Sequence, residues 1–368
     1  MIGQWIGFSN GTNKGFIVLN LEEINSSIGQ VIFKDSDENM INLWATIKFD
    51  LTVNKIKGNL SDFFVFNDTK QILEKCEDII KLNPGLILPT AGQFNGVIKE
   101  KQIIEGVWST NINTQGTFSL TKNTAEKEFE PGLEMKNWDD FKVWLNNKDN
   151  NNKNMIYRGQ QNRYRLRTTF FRTGRNDLLR YALQDVNELG YFINAVSNYK
   201  YSLTDPEDYG GLLNLAQHNG FPTPLLDWTE SPYVAAYFAY EDLPKDVKSG
   251  FVRIFILKVP EWLNRTRSFT VRNITEPKPT FSIFRFSAHN NNRVLPQQSI
   301  STFSNIDDIE YFIHLFEQLY REKYLIRIDL PAIERNHVMQ ELRQMGITAG
   351  SLFPGFEGIC KSLKERYF

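Results

Sequence analysis

The sequence is poor in the residues that build covalent or metal frameworks. It has two cysteines, Cys76 and Cys360, and four histidines among 368 residues. The cysteines are far apart, and neither has a second Cys or a His at metal-ligand spacing, so neither a disulfide framework nor a zinc knuckle is expected. Charge of one sign is also lacking. The formal net charge is −1, which argues against a basic surface for non-specific nucleic-acid binding. No apolar run approaches the roughly 18 residues of a membrane span. The opening MIGQWIGFSN has neither the basic nor the apolar part of a secretory signal. A cytoplasmic protein without membrane contact is expected.

What is plentiful is aromatic side chain, 13% of the chain with 28 Phe. That favours β-rich packing or thick helix–sheet contacts. The length predicts two domains, 1–127 and 128–368. The first reads as β-structure. GQWIGFSNGTNKGFIVLNL is two strand-like runs around a turn, GQVIFKD and NLWATIKFDLTVNKIKGNL add more, and TKQILEKCEDIIKL reads as a helix. Near its end, Gly106-Val107-Trp108 and Gly116-Thr117-Phe118 echo Gly3-Gln4-Trp5 and Gly15-Phe16-Ile17. The pattern predicts a small antiparallel barrel or sandwich whose first and last hairpins are neighbours, a unit for recognition or oligomer assembly.

The second domain opens with NWDDFKVWLNN, a helix with Asn137 as N-cap. Residues 150–154 read as a polar loop, and MIYRGQ as a short strand. In the run that follows, Arg163, Arg165 and Arg167 alternate with Tyr164 and Leu166. Period two predicts a strand with the arginines on one face, either a charged edge or a phosphate-facing strip. Helices are predicted over DLLRYALQDVNELGYFINAVSNYKYS, GGLLNLAQHNG, Pro232 to Tyr240, and AIERNHVMQELRQMG. GFVRIFILKVP and KYLIRIDLP read as strands.

Between Leu215 and Glu241 the chain concentrates His218, Asp227, Thr229 and Ser231 between apolar anchors. His218 is either a structural histidine or a base, and Asp227 either a cap or a site acid. Trp228 reads as core. Tyr157-Arg158-Gly159-Gln160, the run from Gln217 through Thr229, Pro232 and Ala235 to Ala239, with the later NNRVLPQQSISTF and GITAGSLFPGFEGI, together resemble the FRG domain family over about residues 135–368. The family is named for an aromatic-Arg-Gly element, and its occurrence among bacterial proteins linked to phage defence implies a defence effector. Pro224 and Ser299 stand where Arg and Gly are usual.

The order of parts is also similar to an ADP-ribosyltransferase fold, which sets the expected class as α+β, a barrel or sandwich followed by a mixed α+β domain. That resemblance implies NAD as substrate, no metal, and a macromolecular acceptor, protein or nucleic acid. Catalytic roles would fall to Arg158, Thr229, Ser231, His218, Asp227 and Gln298. Tyr157, Arg158, Gly159, Gln160, Gln217, Arg293 and Gln297 would hold the nucleotide. The pyrophosphate suits the forked cation Arg158, and breaking the nicotinamide–ribose bond passes through an oxocarbenium-like state. Gln297 or Gln298 stands where an acid is usual, with Glu230, Asp227 or Glu310 as substitutes. Two other readings stay open: a nuclease-like effector using His218 and Asp227, and a nucleotide sensor without turnover.

Overall fold

Side-chain alternation builds the first sheet. The strands are β1 (Gly3–Gly11), β2 (Gly15–Glu23), β3 (Ser27–Asp35), β4 (Leu43–Leu51), β5 (Lys55–Asn67), β6 (Ile72–Lys75), β7 (Gly92–Lys99), β8 (Ile103–Thr110) and β9 (Gln115–Lys122). The structure, a computed structural model, describes residues 2–23, 27–37, 40–67, 72–122, 128–147, 154–266, 274, 278–285 and 292–368. All pairings in this sheet are antiparallel; β4 pairs with β5, and β1 pairs with β9 from Trp5↔Lys122 to Gly11↔Gly116. Eight strands therefore close into a barrel, with β6 attached to the far half of β5. The expected meeting of first and last hairpins is this β1–β9 seam. The segment read as one helix is split: Ile72–Lys75 pairs with β5, and only Cys76–Leu82 is helical, forming α1. A cross-strand partner has won over local helical pattern there.

The second sheet runs β10 (Leu133–Glu134), β16 (Leu325–Pro331), β13 (Phe251–Lys258), β11 (Met155–Gln160), β12 (Leu225–Thr229), β15 (Ser299–Ser304), β14 (Phe281–Phe284) across its width. Only β10–β16 is parallel, so the sheet is mixed and the molecule is α+β. The helices are α2 (Trp138–Asn146), α3 (Thr169–Arg172), α4 (Leu178–Arg180), α5 (Val186–Val196), α6 (Pro206–His218), α7 (Pro232–Tyr240), α8 (Val259–Thr266), α9 (Ile309–Tyr320), α10 (Arg335–Gln344), α11 (Ala349–Leu352) and α12 (Phe356–Tyr367). A π-helical turn, Tyr181–Asp185, joins α4 to α5. Asn137 caps α2 by accepting from the Asp140 amide at 2.9 Å, as its position predicts.

Each face of this sheet has its own core. Val252, Ile254 and Ile256 of β13 pack with α2, α7 and α10, while Phe255 and Leu257 pack with α8 and α9 on the other side. That double burial explains the apolar run from Ile254 to Leu257 in β13. The second core continues into the barrel wall: Ile6, Val18, Ile32 and Trp44, pointing outward from β1 to β4, join Ile156, Trp228, Phe255 and Trp262. Polar groups seal the seam. Gln4 donates to the Asn305 carbonyl at 2.9 Å and accepts the Asp307 amide at 2.7 Å, and Glu22 accepts the Asp177 amide at 2.6 Å. The expected boundary after residue 127 falls beside residues 123–127, outside the described residues, as do residues 150–153 of the expected polar loop.

The arginine strip is a correction. Residues 161–168 are irregular, not a strand. Arg163 pairs with Glu134 at 2.6 Å and with Asp329 at 3.2 Å, Arg165 pairs with Asp308, and Arg167 takes Asp307 with both arms of its fork, at 2.5 and 2.9 Å. Acids more than a hundred residues downstream neutralise Arg165 and Arg167, so these cations hold the fold and do not form a phosphate strip. Burial pushes the Asp308 carboxyl up to about 7 against the pull of Arg165.

Candidate active site in the split between two strands

Strands β11 and β12 share a single paired position, Tyr157↔Thr229, and then part. Beyond it, Gly159 of β11 lies against α7. A Cβ there would sit 1.9 Å from the Ala235 carbonyl oxygen and 2.8 Å from the Ala239 nitrogen, so only glycine lets strand and helix approach. Tyr157 is buried in the core beside it. The Arg-Gly element is thus an arginine next to a helix–strand contact that fixes its backbone.

The Arg158 side chain lies in this split. Its Nη1 donates to the Asp227 carbonyl at 2.6 Å, while its Nε is buried without a partner. Burial lowers its pKa to about 10, Asp227 opposes that, and the nearby guanidinium of Arg172 adds to it. Arg172 was not legible as a site residue. It spends its Nε on the Arg167 carbonyl at 3.1 Å, and no carboxylate pairs with it among the described residues.

Asp227 is exposed, with Arg158, Gln217 and His218 gathered around its carboxylate. Gln217, in the last turn of α6, fixes its carboxylate: the amide nitrogen donates to Asp227 Oδ2 and the amide oxygen accepts the Thr223 hydroxyl. Burial raises the Asp227 pKa, and Arg158, Gln217 and His218 pull it down. His218, also ending α6, is half-buried with Nε2 enclosed and unpartnered. Burial, then Arg293, lowers its pKa below the ordinary histidine value, while Asp227 and Glu357 oppose the shift. At neutral pH it is an uncharged imidazole.

The remaining expected residues have other contacts. Thr229 is buried and donates its hydroxyl to the Gln297 carbonyl at 2.7 Å. Ser231 caps α7, accepting the Val234 amide at 3.3 Å. Gln160 donates to the Tyr164 carbonyl at 2.8 Å. Gln297 donates to the Leu352 carbonyl at 3.1 Å, and Arg293 pairs with Glu357 while lying over Phe353. Gln298 is exposed, with a left-handed backbone (φ 49°). Of the substitute acids, Glu230 pairs with Arg285, and Glu310 is fully buried between Arg327 and the Leu166 amide. Asp227 is the acid beside Arg158. Trp228 is core, its indole donating to Thr302 at 2.9 Å.

Among the described residues, one group of metal-ligating type lies elsewhere, Asp139, His337 and Glu341 on α2 and α10. The Lys142 ammonium already joins Asp139 at 2.8 Å and Glu341 at 2.7 Å, supplying the cation there.

No match was found among curated proteins. A model of the FRG domain family matches residues 153–248, a stretch holding Arg158, Arg172, Gln217, His218 and Asp227 but neither the glutamines before β15 nor the barrel. Residues 153–248 thus form an FRG domain, and the strand split with its arginine and aspartate lies inside it.

Proposed function

We propose that the split between β11 and β12 binds NAD and that the protein transfers ADP-ribose to a macromolecular acceptor, as an effector in defence. The observation that carries this reading is the Arg158 guanidinium, held at one corner by a carbonyl, with an enclosed unpartnered Nε and a second cation close by, Arg172, which no carboxylate pairs among the described residues. Two forked cations suit a pyrophosphate. Beside them, Asp227 supplies negative charge where an oxocarbenium ion would form.

In this scheme the C1′–N bond of the nicotinamide riboside breaks, and nicotinamide leaves as a neutral molecule with the bonding pair. The Asp227 carboxylate faces the positive ribose. The acceptor nucleophile forms the new bond to C1′ and gives its proton to neutral His218, which returns it to water. Gln217 keeps the carboxylate aimed. Thr229 and Ser231 then act on the frame, by tying β12 to the Gln297 loop and by starting α7.

The test is incubation with NAD in the presence of cell lysate, following nicotinamide by chromatography. Release should fall by about 10²–10³-fold in Arg158→Ala and in Asp227→Asn. Absence of release under every condition, with no NAD-dependent rise in melting temperature, would sink the proposal. A melting shift without product would leave a nucleotide sensor. A hydrolytic reading is favoured by one observation, the enclosed, unpartnered Nε2 of an uncharged His218 beside Asp227. It requires cleavage of RNA or DNA without NAD, lost in His218→Ala.

A further inference from the structure

The barrel is packed at one end and hollow at the other. Trp5, Leu21, Phe49, Ile56, Ile98 and Ile104 fill the end where the β4–β5 and β7–β8 turns lie. Toward the opposite end the inward side chains line a cavity of about 520 Å³, among them Leu19, Val31, Leu43, Ile47, Phe94 and Phe118. A closed eight-stranded barrel is just wide enough either to fill itself with side chains or to hold one small ligand. This barrel does one in each half. The volume lies within the range of small-molecule sites.

The mouth has the composition of an entrance. The connections at this end are those following β1, β3, α1 and β8. They carry Met40, Ile41, Leu86 and Ile87, which line the opening and are exposed, Ile87 at 76%. Apolar side chains gathered in water at the lip of an apolar cavity mark a route for an apolar molecule. Among the described lining residues, the polar side chains gather at the rim. Thr110 and Thr114 share a hydroxyl–hydroxyl bond of 2.6 Å, and the Asp35 carboxylate accepts from Asn13 at 3.1 Å and from the Asp37 amide at 3.0 Å. Among the described residues lining the cavity, no Lys or Arg is present to receive an anion, and Asp35 repels one.

We propose that the barrel is a binding site for a single lipid-like small molecule, apolar in its body and with a neutral, hydrogen-bond-donating head at the Asp35–Thr110 rim. The inference is independent of the chemistry at Arg158.

The probe is N-phenyl-1-naphthylamine, a neutral aromatic amine, titrated into the full-length protein, with the anionic 1-anilinonaphthalene-8-sulfonate alongside. Saturable, blue-shifted emission at one probe per chain is expected, with a raised melting temperature. The sulfonate should bind at least tenfold more weakly. Ala45→Phe, which fills the cavity, should abolish the signal. Ile87→Asp, at an exposed rim position that no fold can depend on, should weaken it at least tenfold, and it carries the test if Ala45→Phe does not fold. Arg158→Ala should leave binding unchanged. Linear, unsaturable emission, or equal binding by wild type and Ile87→Asp, would overturn the site. Equal affinity for the sulfonate would overturn the neutral head group.

Discussion

At the scale of single residues, Asp227 decides how the site responds to pH. Burial raises its folded-state pKa, whereas Arg158, Gln217 and His218 restrain the rise. A raised carboxyl binds more protons in the folded than in the unfolded chain, so between the ordinary aspartate value and the folded value stability falls as pH increases. Asp227→Asn should therefore match the wild type in urea at acid pH and exceed it at pH 7. A less stable Asp227→Asn at pH 7 would mean that the bonds to Gln217 and Arg158 outweigh the burial. Gln217→Ala removes a donor that favours the charged form, and should shift the ¹³C-carboxyl titration of Asp227 to higher pH. The sequence showed Arg158, His218 and Asp227 as chemically capable, because polar residues among apolar anchors are visible in one dimension. It could not show Arg172. Its significance comes only from lying near Arg158 with no acid opposite, which the fold decides.

Among elements, α7 was legible to the residue. Ser231, Pro232 and a run of small apolar residues specify a helix start and a buried body. Ser231→Ala should cost about 1 kcal/mol in chemical denaturation. The function of Gly159 was legible only as a motif, since the Ala235 carbonyl that forbids a Cβ comes from 76 residues later in chain order. Gly159→Ala should destabilise by about 1–3 kcal/mol, the range for overpacking, and open the gap between β11 and α7. A neutral outcome in the denaturation midpoint would contradict the contact. The run from Arg163 to Arg167 failed as a strand for the opposite reason. Its alternation is real, but each arginine is recruited by an acid from β16, β10 or the segment before α9. Periodicity reports a face, and cannot report what is waiting opposite that face.

For the whole molecule, the barrel and the second sheet share one hydrophobic core, so they should melt together. Calorimetry of the full chain should give one cooperative transition, and Gln4→Ala should lower it by about 1–3 kcal/mol at 25 °C, because the Asp307 amide loses its buried acceptor. Two separable transitions would refute a shared core. Barrel closure was foreshadowed by the repeated Gly-x-Trp hairpins. The hollow half was not, because inward apolar residues alternate identically whether the interior is filled or empty.

The wall between the two interiors is one backbone thick. On β2, Val18 looks into the core shared with the second sheet, and Leu19 looks into the barrel cavity. The same alternation holds across β1 to β4. Deleting one residue from the middle of β2 would exchange the two linings beyond that point, aiming cavity residues at the second sheet and core residues at the barrel cavity. Insertions and deletions should therefore be tolerated in the turns and not within these strands. Side-chain changes within these strands must be tolerated by two compartments, one on either side of the same peptide plane.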